Sequence, residues 1–261
     1  MSRLQSLPHV RLWLVALLAG ALLVPGVTAG AAHADSPGSG GTWTYGGYTL
    51  RPPANPQATG LPEDVVAAAR EVRQRAAQLD RAITKQVIDI ANDQGARLEG
   101  LEFRLKSEQS IARKVAERAA ETGNDPLTIA QGLSDVTRYT MTFPRDEYVD
   151  AVNGALDDLR SQGNELRVKN YWLQGDRYQG INVAMTTPEG TKVELQFHTP
   201  RSLQVKEDTH GLYEKFRVST DNNERWKLFK QIVRASMSIP MPSWKVFSIG
   251  SLEYSRFETL S

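Results

Sequence analysis

Residues 193–200 read VELQFHTP, and apolar Val193, Leu195 and Phe197 alternate with Glu194, Gln196 and His198. A period of two is the pattern of a strand with one buried face. The other face then carries an acid, an amide and an imidazole in one row. A second stretch, FRLKSEQSIARK (103–114), holds groups able to meet phosphate. Arg104 and Lys106 share a face of a strand end, Ser107 is placed to cap a helix, and Lys114 follows two turns in. A helix opening beside two cations is a natural phosphate site, because its first N–H groups point outward. RVKNYW (167–172) adds Arg167 and Lys169 on another strand. Each cation taken singly suits a solvated surface better.

Asp135 opens one expected strand and Glu194 sits on another. Carboxylates on neighbouring strands can share Mg2+, which prefers oxygen ligands and substrate phosphates. A capping aspartate and an exposed strand glutamate remain the alternative. Tyr171, Trp172 and Tyr178 flank the polar loop LQGDR, and Gly180 in YQGIN permits close approach. A tyrosine ring there can stack a nucleobase; sheet packing is the competing use.

The elements that must position these groups follow from periodicity. From Pro62 to about Asn92, Val65, Ala69, Val72, Ala76, Leu79, Ile83, Val87 and Ile90 recur at helical spacing. RLEGLEFRLK (97–106) reads as a strand, and the helix after Ser107 stops at Gly123. DPLTIAQGL is a short helix, DVTRYTMTF (135–143) a strand, and Pro144 starts a helix closed by Gly163. Three strands follow at 165–172, 178–187 and 192–199, the last two joined by the turn PEG. Helices run over about 200–216 and 222–236; the segment after Ile239 is ambiguous. This order predicts a single α+β domain, a mixed sheet covered by helices.

At the amino terminus, Arg3, His9 and Arg11 precede the apolar LWLVALLAGALLV, and AHA stands at 32–34. This is the pattern of a secretory signal peptide over residues 1–34. Residues 35–60, rich in Gly, Pro, Ser and Thr, read as a flexible leader. The chain has no cysteine, so the exported domain must be held by its core. Two of the 31 basic residues and none of the 30 acidic ones lie in the signal, leaving the remainder near neutral. Such a balance supplies no general field for nucleic acid or a membrane, so a polyanion site must be a local cluster.

Taken together, these stretches resemble the RelA/SpoT-type alarmone synthetases. FRLKSEQSIARK is similar to their Arg-x-Lys-Ser motif with its downstream Ser-Ile-x-x-Lys, and DVTRYT to their metal-binding Asp strand. YQGIN resembles the acceptor-base loop, VELQFHT the Glu-x-Gln-x-x-Thr strand, and HGLYEKF a later His-x-x-Tyr helix. The motifs occur in family order across about residues 62–217. The resemblance implies a nucleotidyltransferase-like sheet of about five strands within a pyrophosphokinase domain over 61–261. It implies transfer of pyrophosphate from ATP, with Mg2+, to the 3′-hydroxyl of a purine nucleotide. Arg104 would stack the donor adenine, with Lys106 and Lys114 on its phosphates. Asp135 would hold Mg2+, and Glu194 would hold the metal or take the hydroxyl proton. Tyr178 would stack the acceptor base, Lys169 would meet phosphate, Gln196 would face the reacting nucleotides and His198 would stand at the rim.

The pattern departs from the family in places. Arg138 stands where the Asp strand usually has Gly, and Thr140 where it has a second adenine-stacking Arg, which Arg138 could replace. Asn182 stands where the acceptor loop often has His. Only His198 and His210 lie outside the signal, too few for the companion hydrolase domain. Signal, leader and lone synthetase domain most resemble the secreted nucleotide 3′-pyrophosphokinases of actinobacteria. The other readings are an antibacterial synthetase-type toxin that depletes adenylates and an inactive nucleotide- or RNA-binding module. No protein partner is evident.

Overall fold

Helix α1, Glu63–Asp93, takes its length from an unbroken apolar stripe and acidic Glu63 and Asp64 in its first turn. The computed structural model describes residues 41–174 and 177–250. The expected signal peptide therefore lies outside the described residues. None of the described helices is long and apolar enough to cross a membrane.

Strands β1 (Trp43–Tyr45) and β2 (Tyr48–Leu50) form a hairpin. After α1 come β3 (Arg97–Glu99), α2 (Glu108–Thr122), α3 (Pro126–Gly132), β4 (Arg138–Thr142) and α4 (Tyr148–Ser161). Then follow β5 (Glu165–Asn170), the one-turn α5 (Tyr171–Gln174), β6 (Ile181–Thr186), β7 (Lys192–His198), α6 (Pro200–Val218) and α7 (Asn222–Ser236). The main sheet has the order β3-β4-β7-β6-β5. Only β4 and β7 run parallel, because α4, β5 and β6 intervene between them. The protein is thus an α+β domain with a five-stranded mixed sheet flanked by helices.

Alternation assigns each strand two faces. Tyr139, Met141 and Phe143 from β4 and its exit join Val193, Leu195 and Phe197 of β7 and Ile181, Val183 and Met185 of β6 in one core. The carboxy-terminal half of α1 and the inner face of α4 cover it. A second cluster joins Val65 and Ala69 of α1 to Ile111 and Val115 of α2 and Ile129 of α3. Each fully buried aliphatic or aromatic side chain contributes about 1.5–3 kcal/mol.

Two expectations need correction. RLEGLEFRLK is not one strand: Gly100 takes a left-handed conformation (φ 61°) and starts a 3-10 turn, Leu101–Phe103, which leaves Leu105 a single bridge to Thr137. Residues 41–60 are not a flexible leader. Gly46 and Gly47 both have positive φ, which suits a tight two-residue hairpin, and a Cβ on Gly46 would run into Ile88. Leu50 is buried, Tyr48 Oη accepts from the Leu98 N–H at 3.1 Å, and Tyr45 Oη donates to Asp89 at 3.0 Å.

Candidate functional site

The face of the sheet opposite the main core carries the polar row. The parallel register sets Arg138 beside Glu194, Thr140 beside Gln196 and Thr142 beside His198. Across β6, Ala184 stands beside Glu194 and Asn182 beside Gln196; β5 then sets Arg167 beside Ala184 and Lys169 beside Asn182. Period-two alternation thus brings Glu194, Gln196, His198, Asn182, Arg138 and Lys169 to one face.

Hydrogen bonds link most of this row. Lys206 Nζ donates to Gln196 Oε1 at 2.6 Å, and Gln196 Nε2 donates to Glu194 Oε2 at 3.2 Å. Asn182 Nδ2 reaches Glu194 Oε1 at 3.5 Å, and Tyr178 Oη donates to Asn182 Oδ1 at 2.8 Å. The same hydroxyl lies 2.9 Å from His198 Nε2, and His198 Nδ1 lies 3.0 Å from Ser202 Oγ. Glu194 is therefore oriented by two side-chain amides, and Tyr178 by Asn182 and His198.

His198 is not at the rim. It is 0% exposed, and burial, reinforced by the Lys206 charge, lowers its pKa to about 3, so the ring is neutral. Its edge-to-face contact with Tyr178 (centroids 5.3 Å apart) fixes the tyrosine ring from one side, and Tyr171 does so from another at 5.0 Å. His198 positions the Tyr178 ring and offers no exposed edge of its own to a ligand. Gly180 is required here, because a Cβ would lie 2.8 Å from His198 Cε1 and 3.0 Å from Tyr178 Oη.

The second cluster is a carboxylate between two ammonium groups. Lys106 Nζ contacts Asp135 Oδ2, and Lys114 Nζ reaches the same oxygen at 2.7 Å. Burial alone would raise the Asp135 carboxyl, but the two lysines outweigh it and hold the group at about 2. Burial also lowers Lys106, more than its bond to Asp135 restores. The carboxylate, with two donors, is the better satisfied partner. Asp135 Oδ1 is buried and accepts no hydrogen bond. Asp135 does not open β4 but lies in the loop before it; its orphaned carboxylate oxygen near lysines that can carry phosphate, with Glu194 on β7 beside β4, fits Mg2+ completed by phosphate oxygens. Among the described residues no group of three or more His, Cys, Asp or Glu side chains forms a cage by itself.

Two further expectations are overturned. Arg104 is only 2% exposed and its guanidinium is occupied. Nε and one terminal nitrogen grip Asp80 at 2.8 and 2.6 Å, and the other terminal nitrogen donates to the carbonyls of Arg51 and Leu101. It cannot offer a face to a base in this state. Nor is the α2 amino terminus an open anion site. The Glu108 N–H donates to Asn55 Oδ1 (2.9 Å), Gln109 to the Pro56 carbonyl (3.2 Å), Ser110 to Ser107 Oγ (3.2 Å) and Ile111 to the Ser107 carbonyl (3.0 Å). The last of these is the helix's own first bond; the three donors before it, on Glu108, Gln109 and Ser110, are filled from outside the helical ladder, two of them by the segment expected to be flexible.

Two cavities open onto the polar face. One of about 520 Å3 is lined by Tyr178, Asn182, Gln196, Lys206, His210 and Tyr213, among others. One of about 140 Å3 is lined by Glu99, Phe103, Arg138, Thr140, Lys206 and Glu207, among others. Sequence reasoning missed Lys206 and Phe103, the latter 72% exposed. The available signal for the first was the spacing of Lys206, His210 and Tyr213, which shares one helix face.

No protein-family profile matches the chain, and no curated protein matches it. Among solved structures, the chain is similar to the type VI effector Tas1, seen in complex with its immunity protein. That match has 18% identity and a TM-score of 0.46, covering 69% of this chain and 97% of the effector. It is similar to the small alarmone synthetase 1 from Bacillus subtilis at 14% identity and a TM-score of 0.44, covering 74% of this chain and 95% of that one. It is also similar to a GTP pyrophosphokinase family protein from Streptococcus pneumoniae at 18% identity and a TM-score of 0.40, covering 76% and 93%.

Proposed function

We propose that the protein is an exported, Mg2+-dependent pyrophosphokinase that uses ATP to pyrophosphorylate the 3′-hydroxyl of a purine nucleotide. The observation that carries this reading is the hydrogen-bonded row from Lys206 through Gln196, Glu194 and Asn182 to Tyr178, most of which lines the larger cavity while Lys206 also lines the smaller. A two-substrate transfer needs two pockets, a base between them and cations for the charge that develops.

The larger cavity takes the acceptor, with Tyr178 against its base. The smaller takes the donor base, with Arg138 in place of the buried Arg104. The Arg138 side chain makes no hydrogen bond or ion pair among the described residues, so its guanidinium is available. Lys106 and Lys114 bind donor phosphates, and Lys169 meets phosphate from the sheet edge. Asp135 and Glu194 would hold Mg2+, which supplies charge neutralisation at the transferring phosphates. Glu194 takes the proton of the 3′-hydroxyl. That oxygen bonds to the β-phosphorus while the bond from this phosphorus to the α,β-bridging oxygen breaks. AMP leaves and the acceptor carries a 3′-diphosphate.

The deciding experiment incubates the chain from Asp35 with ATP, Mg2+ and each purine nucleotide, with products identified by mass and phosphorus NMR. AMP and a 3′-diphosphorylated nucleotide are expected. ADP with orthophosphate, or ATP left intact with every acceptor, overturns the proposal. The export read from residues 1–34 belongs to the same proposal. Sequencing of secreted protein should give Asp35 as the first residue, and a membrane-bound chain with an intact amino terminus overturns it.

A further inference from the structure

Among the described residues, Lys206 alone lines both cavities. Its place is set by the start of α6. Pro200 occupies the first turn, Thr199 Oγ1 accepts from the Ser202 N–H at 3.1 Å, and Ser202 Oγ accepts from the Thr199 N–H at 3.0 Å. Ser202 also contacts His198, so this turn is fastened to the end of β7. One turn on, the Lys206 ammonium rests on the Gln196 amide oxygen.

The charges around this ammonium do not balance locally. No carboxylate lies within ion-pair distance of Lys206 or of Arg138 among the described residues. Burial, then Arg138, lowers the Lys206 ammonium to about 8 against the raising effect of Glu194 and Glu207. Two unpaired cations sharing one partly dry junction form an incomplete site, and an anion completes it.

Building on the two-nucleotide reading above, we propose that Lys206 holds the diphosphate group while it passes from donor to acceptor. It leaves the Gln196 oxygen for the phosphoryl oxygens as they arrive, and Arg138 faces the same group from β4. A lysine that served a single nucleotide would line a single cavity.

The test compares Lys206→Met and Lys206→Arg with wild type by steady-state kinetics and by calorimetric titration with inorganic pyrophosphate, with thermal melts as a check on folding. Lys206→Met should lower kcat by about a hundredfold or more, the scale for losing one donor to developing charge, with both nucleotide KM values little changed. Lys206→Arg should recover part of kcat. Pyrophosphate should bind wild type and Lys206→Arg and should bind Lys206→Met far more weakly. Unchanged kcat in Lys206→Met, a rise in only one KM, or equal pyrophosphate binding in Lys206→Met and wild type overturns the assignment. A wild type that performs no transfer yet binds pyrophosphate through Lys206 overturns the proposed function and upholds the anion site.

Discussion

Phe103 and Arg104 are adjacent and face opposite ways, the first into solvent beside the small cavity and the second into the protein. The cause is the 3-10 turn after Gly100, which replaces strand alternation with a tight reversal. Arg104 is consequently a structural residue. Arg104→Ala leaves Asp80 as a poorly compensated charge and should cost about 3–5 kcal/mol, seen as a lower unfolding midpoint. An unchanged midpoint with a raised ATP KM would return Arg104 to the donor base. Tyr178→Ala should raise the acceptor KM about five- to a hundredfold and leave the donor KM alone, consistent with a lost stacking contact of about 1–3 kcal/mol. The opposite pattern in paired titrations would reverse the two cavities. His198 bears on pH. Its folded value of about 3 lies below the ordinary 6.5. Between these values the unfolded chain binds the extra proton, so His198 costs no stability above pH 6.5 and progressively more as pH falls towards 3. Urea midpoints should decline across that window, and His198→Gln, though less stable at pH 7.5, should decline less. The alternation in VELQFHT was legible as a strand from the sequence. That His198 is buried was not, because its cover comes from Ser202 on the next helix and from the Tyr178 loop, and no period in β7 encodes either.

At the scale of elements, the amino-terminal segment was the part least readable from composition. Gly, Pro, Ser and Thr mark flexible leaders, but the local order WTYGGYTL is aromatic and β-branched residues alternating about a Gly-Gly turn, itself a hairpin signal. What makes the hairpin stay is tertiary: Ile88 under Gly46, Asp89 on Tyr45 and the edge of β3 on Tyr48. The same segment continues into Asn55 and Pro56, which cap α2. Asn55→Ala should therefore cost about 1 kcal/mol, the usual scale of a lost cap, although Asn55 belongs to no helix. Thermal unfolding checks this, and no change in midpoint would mean that water replaces the amide. By contrast α1, α6 and α7 were readable almost to their ends, because each carries its own stripe or cap residues. Thr199 and Asp221 cap α6 and α7 through their own side chains.

For the whole molecule, removing residues 41–60 should lower the unfolding midpoint markedly relative to the chain from Asp35. Leu50 leaves the core and α2 loses the partners of its Glu108 and Gln109 N–H groups. A truncated chain as stable as the full one would restore the leader reading. The clamp of Lys106 and Lys114 on Asp135 has a wider consequence. The resting protein contains its own rival for phosphate: each incoming anion must first pull two ammonium groups from a carboxylate. On the proposed function, affinity for free nucleotide would be capped by that internal competition, and a spent donor would be pushed out as the carboxylate reclaims its lysines. Nucleotide and Mg2+ would then help one another, because phosphate drawing the lysines away would leave the carboxylate to the metal, and linkage makes such help mutual. Asp135→Asn separates the two effects. It should cut turnover about a thousandfold or more, yet bind ATP more tightly than wild type when Mg2+ is withheld. Weaker binding in that variant would show that the aspartate positions the lysines and does not compete for them.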